Sequence, residues 1–186
     1  MDSLGLEVLL DGANVLELGP GHYGFALLAR ALGARVTCFE KDGAFAKLGA
    51  HLGFRMWEGD FYSELGKGKY EEVFDGVWVK GTFNACHLKK SSRIMDFAKR
   101  LDACLRPGGW GLLVPVNKMG PDSGSQLVQE CVRSQHDIMV ALGWRAVELP
   151  ESLRRAMAFH YSGSPFIYLK NLEFATEETR EGWGFE

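Results

Sequence analysis

Cysteine is sparse. Cys38, Cys86, Cys104 and Cys131 are the four in 186 residues, with no C-x-x-C pair and no histidine nearby at finger spacing. That spacing argues against a zinc site and against a disulfide framework, and free thiols in a reducing cytoplasm are the expectation. No apolar run approaches the ~18 residues of a membrane span. No lysine or arginine precedes Arg30, whereas a secretory signal opens on a positive segment. A soluble, cytoplasmic chain without membrane contact is expected. Basic charge is not in excess: 21 Lys+Arg stand against 24 Asp+Glu, a net charge of −3, so no nucleic-acid partner is expected. Internal repeats and linkers are absent from the sequence as well. What it has in quantity is glycine, 23 residues or about 12% against the usual ~7%, and 46% hydrophobic residues, which excludes a disordered chain. A chain of 186 residues fits one domain, about 100–200 residues being the norm, with a core that needs no staples.

Short apolar runs alternate with amphipathic stretches. Asn14–Leu18, Arg35–Glu40, Phe54–Trp57, Val73–Val79 and Trp110–Val116 read as strands. Tyr23–Leu32, Ala44–Leu52, Ser91–Leu105 and Ser125–Leu142 have helical spacing, three of them stopping at Gly33, Gly53 or Gly143, and Asp42 is placed to cap the second. Leu105-Arg106-Pro107-Gly108-Gly109 reads as a turn and residues 61–72 as a loop with at most one helical turn. Pro115 marks a strand end, and Trp144–Leu149 pairs with Phe166–Leu172. This alternation predicts an α/β fold, a mostly parallel seven-stranded sheet with an antiparallel last strand and helices on both faces. One domain spans 1–172. The tail 173–186 has five acids and one arginine and is expected to be solvated.

The strongest local signal is Gly19, Gly21 and Gly24, a G-x-G-x-x-G between a strand and a helix, with Glu40 following 21 residues after Gly19 at the next strand end. That spacing is what a nucleoside-binding unit requires, glycines admitting the ligand to the backbone and the carboxylate accepting from ribose hydroxyls; the glycines alone also read as a tight turn with no ligand. A nicotinamide enzyme is disfavoured because the chain has no Tyr-x-x-x-Lys and little length for a second domain. Glu17, two residues before Gly19, would repel a pyrophosphate at close range but would favour the ammonium of an amino-acid moiety, directly or through water.

With these residues in place, the chain resembles the class I S-adenosylmethionine-dependent methyltransferases. Val15 to Gly24 is similar to their first motif, Cys38 to Glu40 to the ribose-binding strand end, and Gly59 to Phe61 to the adenine-contacting turn. Phe74 to Lys80 resembles the fourth-strand motif and Leu105 to Trp110 the turn before strand five. The blocks come in family order over about 100 residues, Asn14 to Val116. The resemblance implies a Rossmann-like three-layer sandwich, S-adenosyl-L-methionine as cofactor, and a cofactor site of Glu17, Gly19, Gly21, Glu40, Asp60, Phe61 and Lys80. Gly19 and Gly21 would admit the methionine end near backbone N–H groups. Glu40 would accept from both ribose hydroxyls and Asp60 from the adenine amino group, with Phe61 beside the ring. From the residues alone, Asp60 also reads as a turn aspartate and Phe61 as core.

The turn after strand four, Lys80-Gly81-Thr82-Phe83-Asn84, lacks the Asp/Asn-Pro-Pro-aromatic of DNA amino-methyltransferases, and Cys86 follows Ala85 rather than a proline. A small-molecule acceptor is therefore expected, over Lys80, Thr82 and Asn84 at the switch point between strands one and four. His87 and His160 are the candidate catalytic bases, needed only where the acceptor must lose a proton. A charged Lys80 is a poor base unless desolvated. The 15-residue connection 150–164 is either a lid or a short helix on the sheet edge. As a lid it would bring Phe159 and Tyr161 as pocket walls, with Arg154 or Arg155 for an acidic group. Lys89, Lys90, Arg93, Lys99 and Arg100 read as the solvated face of a helix, RNA contact being the alternative. No metal is expected, and a homodimer is one source of a missing lid. The alternatives are another use of the same cofactor, aminopropyl transfer or its breakdown, and a non-catalytic cofactor-binding subunit.

Overall fold

The computed structural model describes residues 6–64, 73–82, 90–114, 126–148 and 166–172. The described helices are α1 (Leu6–Leu10), α2 (Gly24–Ala31), α3 (Gly43–His51), α4 (Phe61–Glu64), α5 (Ser91–Ala103) and α6 (Gln126–Ala141). The strands are β1 (Asn14–Leu18), β2 (Arg35–Glu40), β3 (Arg55–Glu58), β4 (Phe74–Lys80), β5 (Leu105–Val114), β6 (Arg145–Glu148) and β7 (Phe166–Lys170). They form one seven-stranded sheet in the order β3-β2-β1-β4-β5-β7-β6. The first five strands are parallel, and β7 runs antiparallel to both β5 and β6. This is the expected sheet.

Four consecutive residues of β1, Val15 to Leu18, are buried, as in a central parallel strand covered on both faces. Val15, Val36 and Cys38 meet Ala26 and Ala29 of α2 on one side. On the other, Leu16, Leu18, Val77, Val79 and Leu113 meet Ile94, Phe97, Ala98 and Leu101 of α5 and Ile138 and Met139 of α6. The four α5 positions recur at helical spacing, the stripe that buries one face of an amphipathic helix. Asp42 caps α3, accepting from Ala44 N at 2.8 Å and Phe45 N at 3.2 Å.

Two elements differ from expectation. The turn at Leu105–Gly109 lies inside β5: Phe74 pairs with Leu105 and Gly76 with Trp110, so four residues of β5 oppose Asp75. Gly108, at φ 78°, absorbs the excursion, as a bulge residue does. Helix α1 had no sequence expectation because five residues are too few for periodicity to register; its Leu10 is nonetheless fully buried.

Beyond the central strands, Asp102 of α5 ties the antiparallel edge to the core. Its Oδ1 accepts from Trp144 Nε1 at 3.1 Å and from Lys170 Nζ. Asp102→Ala leaves an indole N–H and a largely buried ammonium without their acceptor. It is expected to lower unfolding free energy by about 2–3 kcal/mol, read as a lower urea midpoint at unchanged slope.

Candidate functional site

Strand order runs outward in both directions from the β1–β4 pair, and ligands of open α/β sheets bind at the carboxyl ends of strands at such a switch point. The register puts Glu17 opposite Trp78, Leu18 opposite Val79 and Phe39, and Glu40 opposite Glu58. The ends of β1, β2, β3 and β4 therefore bring Glu17, the glycine loop, Glu40, Asp60, Lys80 and Thr82 to one edge.

Gly19 and Gly21 have φ of 64° and 54°, left-handed backbone that glycine adopts without penalty. A Cβ on Gly19 would lie 2.1 Å from Thr82 Oγ1. That hydroxyl donates to Leu18 O at 3.0 Å, and Thr82 O accepts from Tyr62 Oη. Thr82 thus knits the β4 turn to the end of β1 and to α4; its hydroxyl is engaged there. At Gly21 a Cβ would meet nothing within 4 Å among the described residues. The third left-handed residue is Tyr23, φ 60°, and not Gly24 of the sequence pattern.

Glu17 is 4% exposed, and its Oε2 has no hydrogen-bond partner among the described residues. Burial pushes its carboxyl up to about 7, opposed by a hydrogen bond from the Ala26 backbone N–H and by the Lys80 charge. Its neighbour Trp78 stacks flat on Phe25, centroids 4.0 Å apart, an apolar wall beside a carboxyl. Glu40 is also buried, and its Oε1 accepts from the backbone N–H of Lys41 at 2.8 Å and of Asp42 at 2.9 Å. Asp60 Oδ1 accepts from Tyr62 N at 3.2 Å, so it caps the short α4 as a turn aspartate does. Phe61 is 6% exposed and packs edge-on against Phe39 within the core.

Lys80 is exposed at the end of β4. Asn84, His87, Phe159, His160 and Tyr161 lie outside the described residues, with the rest of 150–164, Lys89 and the tail 173–186. Lys90, Arg93 and Lys99 are exposed, as a solvated face requires. Arg100 is not part of that face: it pairs with Asp96 at 2.8 Å and donates to Tyr62 O at 3.3 Å, toward the site. Long-range pairing of this kind has no local signature. Trp78 escaped the sequence reading because an aromatic in an apolar run reads as core, and Tyr23 and Tyr62 because their partners, Phe45 and Thr82, are some 20 residues away. Among the described residues no group of three or more His, Cys, Asp or Glu side chains could hold a metal ion. No described helix is long and apolar enough to cross a membrane.

No family model and no curated protein matches this sequence. Solved structures do match. An S-adenosylmethionine-dependent methyltransferase from Mesorhizobium loti is 12% identical, with TM-score 0.59 over 90% of this chain and 96% of that one. A protein from Galdieria sulphuraria, provisionally named a sarcosine dimethylglycine methyltransferase, is 14% identical, with TM-score 0.57 over 89% and 79%. A TehB-like S-adenosylmethionine-dependent methyltransferase from Corynebacterium glutamicum is 15% identical, with TM-score 0.56 over 90% and 86%. Identity this low speaks to architecture alone, and together with the strand order it shows that the chain has the fold of the class I S-adenosylmethionine-dependent methyltransferases.

Proposed function

We propose that the chain is an S-adenosylmethionine-dependent methyltransferase acting on a small-molecule acceptor. The observation that carries this reading is Glu17: a carboxyl buried at a strand end, one oxygen without a partner among the described residues, beside a glycine loop where a Cβ on Gly21 would meet none of them. A buried acid so placed is costly unless a cation completes it. The ammonium of S-adenosylmethionine is such a cation, so the residues present fit the cofactor. Glu17 would hold that ammonium, and the N–H groups around Gly19 and Gly21 its carboxylate. Glu40, its Oε1 already fixed by two backbone donors, is set to accept from ribose hydroxyls. Asp60 and Lys80 would border the adenine and the methionine end.

When bound, the cofactor supplies an electrophilic methyl group on a sulfonium, open to in-line displacement. The chain's own task is to orient the acceptor and exclude water, and proximity alone supplies up to about 7–11 kcal/mol in favourable cases. His87 or His160 would take a proton only from an acceptor that must lose one. Support for a small acceptor comes from the turn Lys80–Asn84, which lacks the motifs of base methylation, from the net charge of −3, and from a structural neighbour named for sarcosine and dimethylglycine.

The test is incubation with methyl-labelled S-adenosylmethionine and separate small-molecule and RNA fractions. Label in the small-molecule fraction, with S-adenosylhomocysteine as co-product, is expected. Methylthioadenosine would point to aminopropyl transfer, label in RNA would overturn the acceptor class, and binding without turnover would leave a cofactor-binding subunit.

A further inference from the structure

Two non-glycine residues among those described have left-handed backbone: Asn171 at φ 48°, a residue type that tolerates it, and Tyr23 at φ 60°. For a bulky side chain this conformation is disfavoured, because Cβ crowds the following carbonyl oxygen. Tyr23 is nonetheless fully buried. Its ring stacks on Phe54, centroids 5.6 Å apart and 10° from parallel, and its Oη donates to Phe45 O of α3 at 2.6 Å. Burial, then Cys38 and Glu40, push the phenol up to about 12, so it stays a donor.

Beneath the phenol lies Gly49, inside α3. A Cβ there would run into Met56 Sδ and, as closely, into Tyr23 Oη and Cζ. Glycine inside a helix is less favourable than alanine, because it gives up more backbone freedom. Two locally unfavourable choices, 26 positions apart in sequence, meet here, with Met56 sharing the space above the glycine. Strain of this kind survives where the surroundings over-determine it, commonly next to ligands. On the chain side, Tyr23 N donates to Pro20 O at 3.0 Å and Tyr23 O accepts from Leu27 N at 2.9 Å. Tyr23 therefore closes the turn that contains Gly21 and opens α2, where no side chain of its own caps the helix.

We propose that Tyr23 is a positioning residue: its phenol, seated on Gly49 and bonded to Phe45 O, holds the glycine loop in the turn that carries Gly21. The proposal rests on reading that loop as the cofactor-binding loop. Tyr23→Phe should bind S-adenosylhomocysteine about threefold to tenfold more weakly by calorimetry, the worth of one hydrogen bond, at a temperature where the variant is fully folded. Gly49→Ala should weaken binding in the wild type and cost clearly less in a Tyr23→Ala background, where the clash with the phenol is gone and only the one with Met56 Sδ remains. Amide exchange at Gly21 to Gly24 should quicken in ligand-free Tyr23→Phe. Tyr168→Phe, at a buried tyrosine of β7 toward the other end of the sheet, should spare affinity. Wild-type affinity and unchanged exchange in Tyr23→Phe overturn the proposal, as does an equal loss of affinity in Tyr168→Phe. If the wild type does not bind S-adenosylhomocysteine, the functional reading fails, and loop exchange in Tyr23→Phe alone decides the positioning role.

Discussion

Glu17→Gln is expected to make the protein more stable and its cofactor binding weaker, both at pH 8. The carboxyl is raised from the ordinary 4.5 to about 7, chiefly by burial. Below pH 4.5 folded and unfolded chains both hold the proton, and burial adds no titration-linked penalty. Between 4.5 and about 7 the unfolded chain releases it while the folded chain keeps it, so stability falls as pH rises. Above about 7 both are ionised and the whole penalty stands, about 3 kcal/mol for a rise of this size. Glutamine is never charged, so urea unfolding should find the variant more stable by about 1–3 kcal/mol above pH 7, its amide N–H₂ taking back part of the gain. The difference should vanish below pH 4.5. Binding should move the other way: losing a charged partner for the ammonium weakens S-adenosylmethionine about tenfold to hundredfold. Wild-type affinity should rise as pH climbs through about 7, where Glu17 ionises, and Glu17→Gln should lose that slope. A variant that is stabilised yet binds as the wild type would show that no cation completes Glu17.

Glu40→Ala should weaken cofactor binding more than any other single side-chain change at the site. Two charged hydrogen bonds to ribose hydroxyls, each worth roughly 1.5–3 kcal/mol, amount to a loss of at least about a hundredfold. Alanine also strips the acceptor from Lys41 N and Asp42 N, so part of the change will appear as a lower melting temperature. Glu40→Gln separates the effects, because its amide oxygen still serves both backbone donors while the charge is gone; it should fold like the wild type and lose less affinity. Calorimetry with S-adenosylhomocysteine measures both variants. Unchanged affinity in Glu40→Ala would remove the end of β2 from the ribose site.

Repeating local signals by themselves determined most of the architecture. Short apolar strands, helical stripes such as Ile94-Phe97-Ala98-Leu101, and stops at Gly33, Gly53 and Gly143 depend on neighbours within a few positions, and the seven strands follow from them. The pattern of Glu17, Gly19, Gly21 and Glu40 is local in the same sense, two strand ends and one turn. What only the tertiary structure decided are contacts across long separations. Thr82 spends its hydroxyl on Leu18, 64 residues away, and Arg100 leaves the solvated face for Tyr62, 38 away. Tyr23 takes a glycine's backbone conformation because Phe45, Phe54 and Gly49 receive its ring. The bulge in β5 depends on β4 passing Asp75 where β5 passes four residues. Even Glu17 divides this way: the sequence places an acid at the end of β1, but its raised carboxyl arises from the burial that α2 and β4 impose when the sheet closes around it, since a charge is costly only where water has been removed.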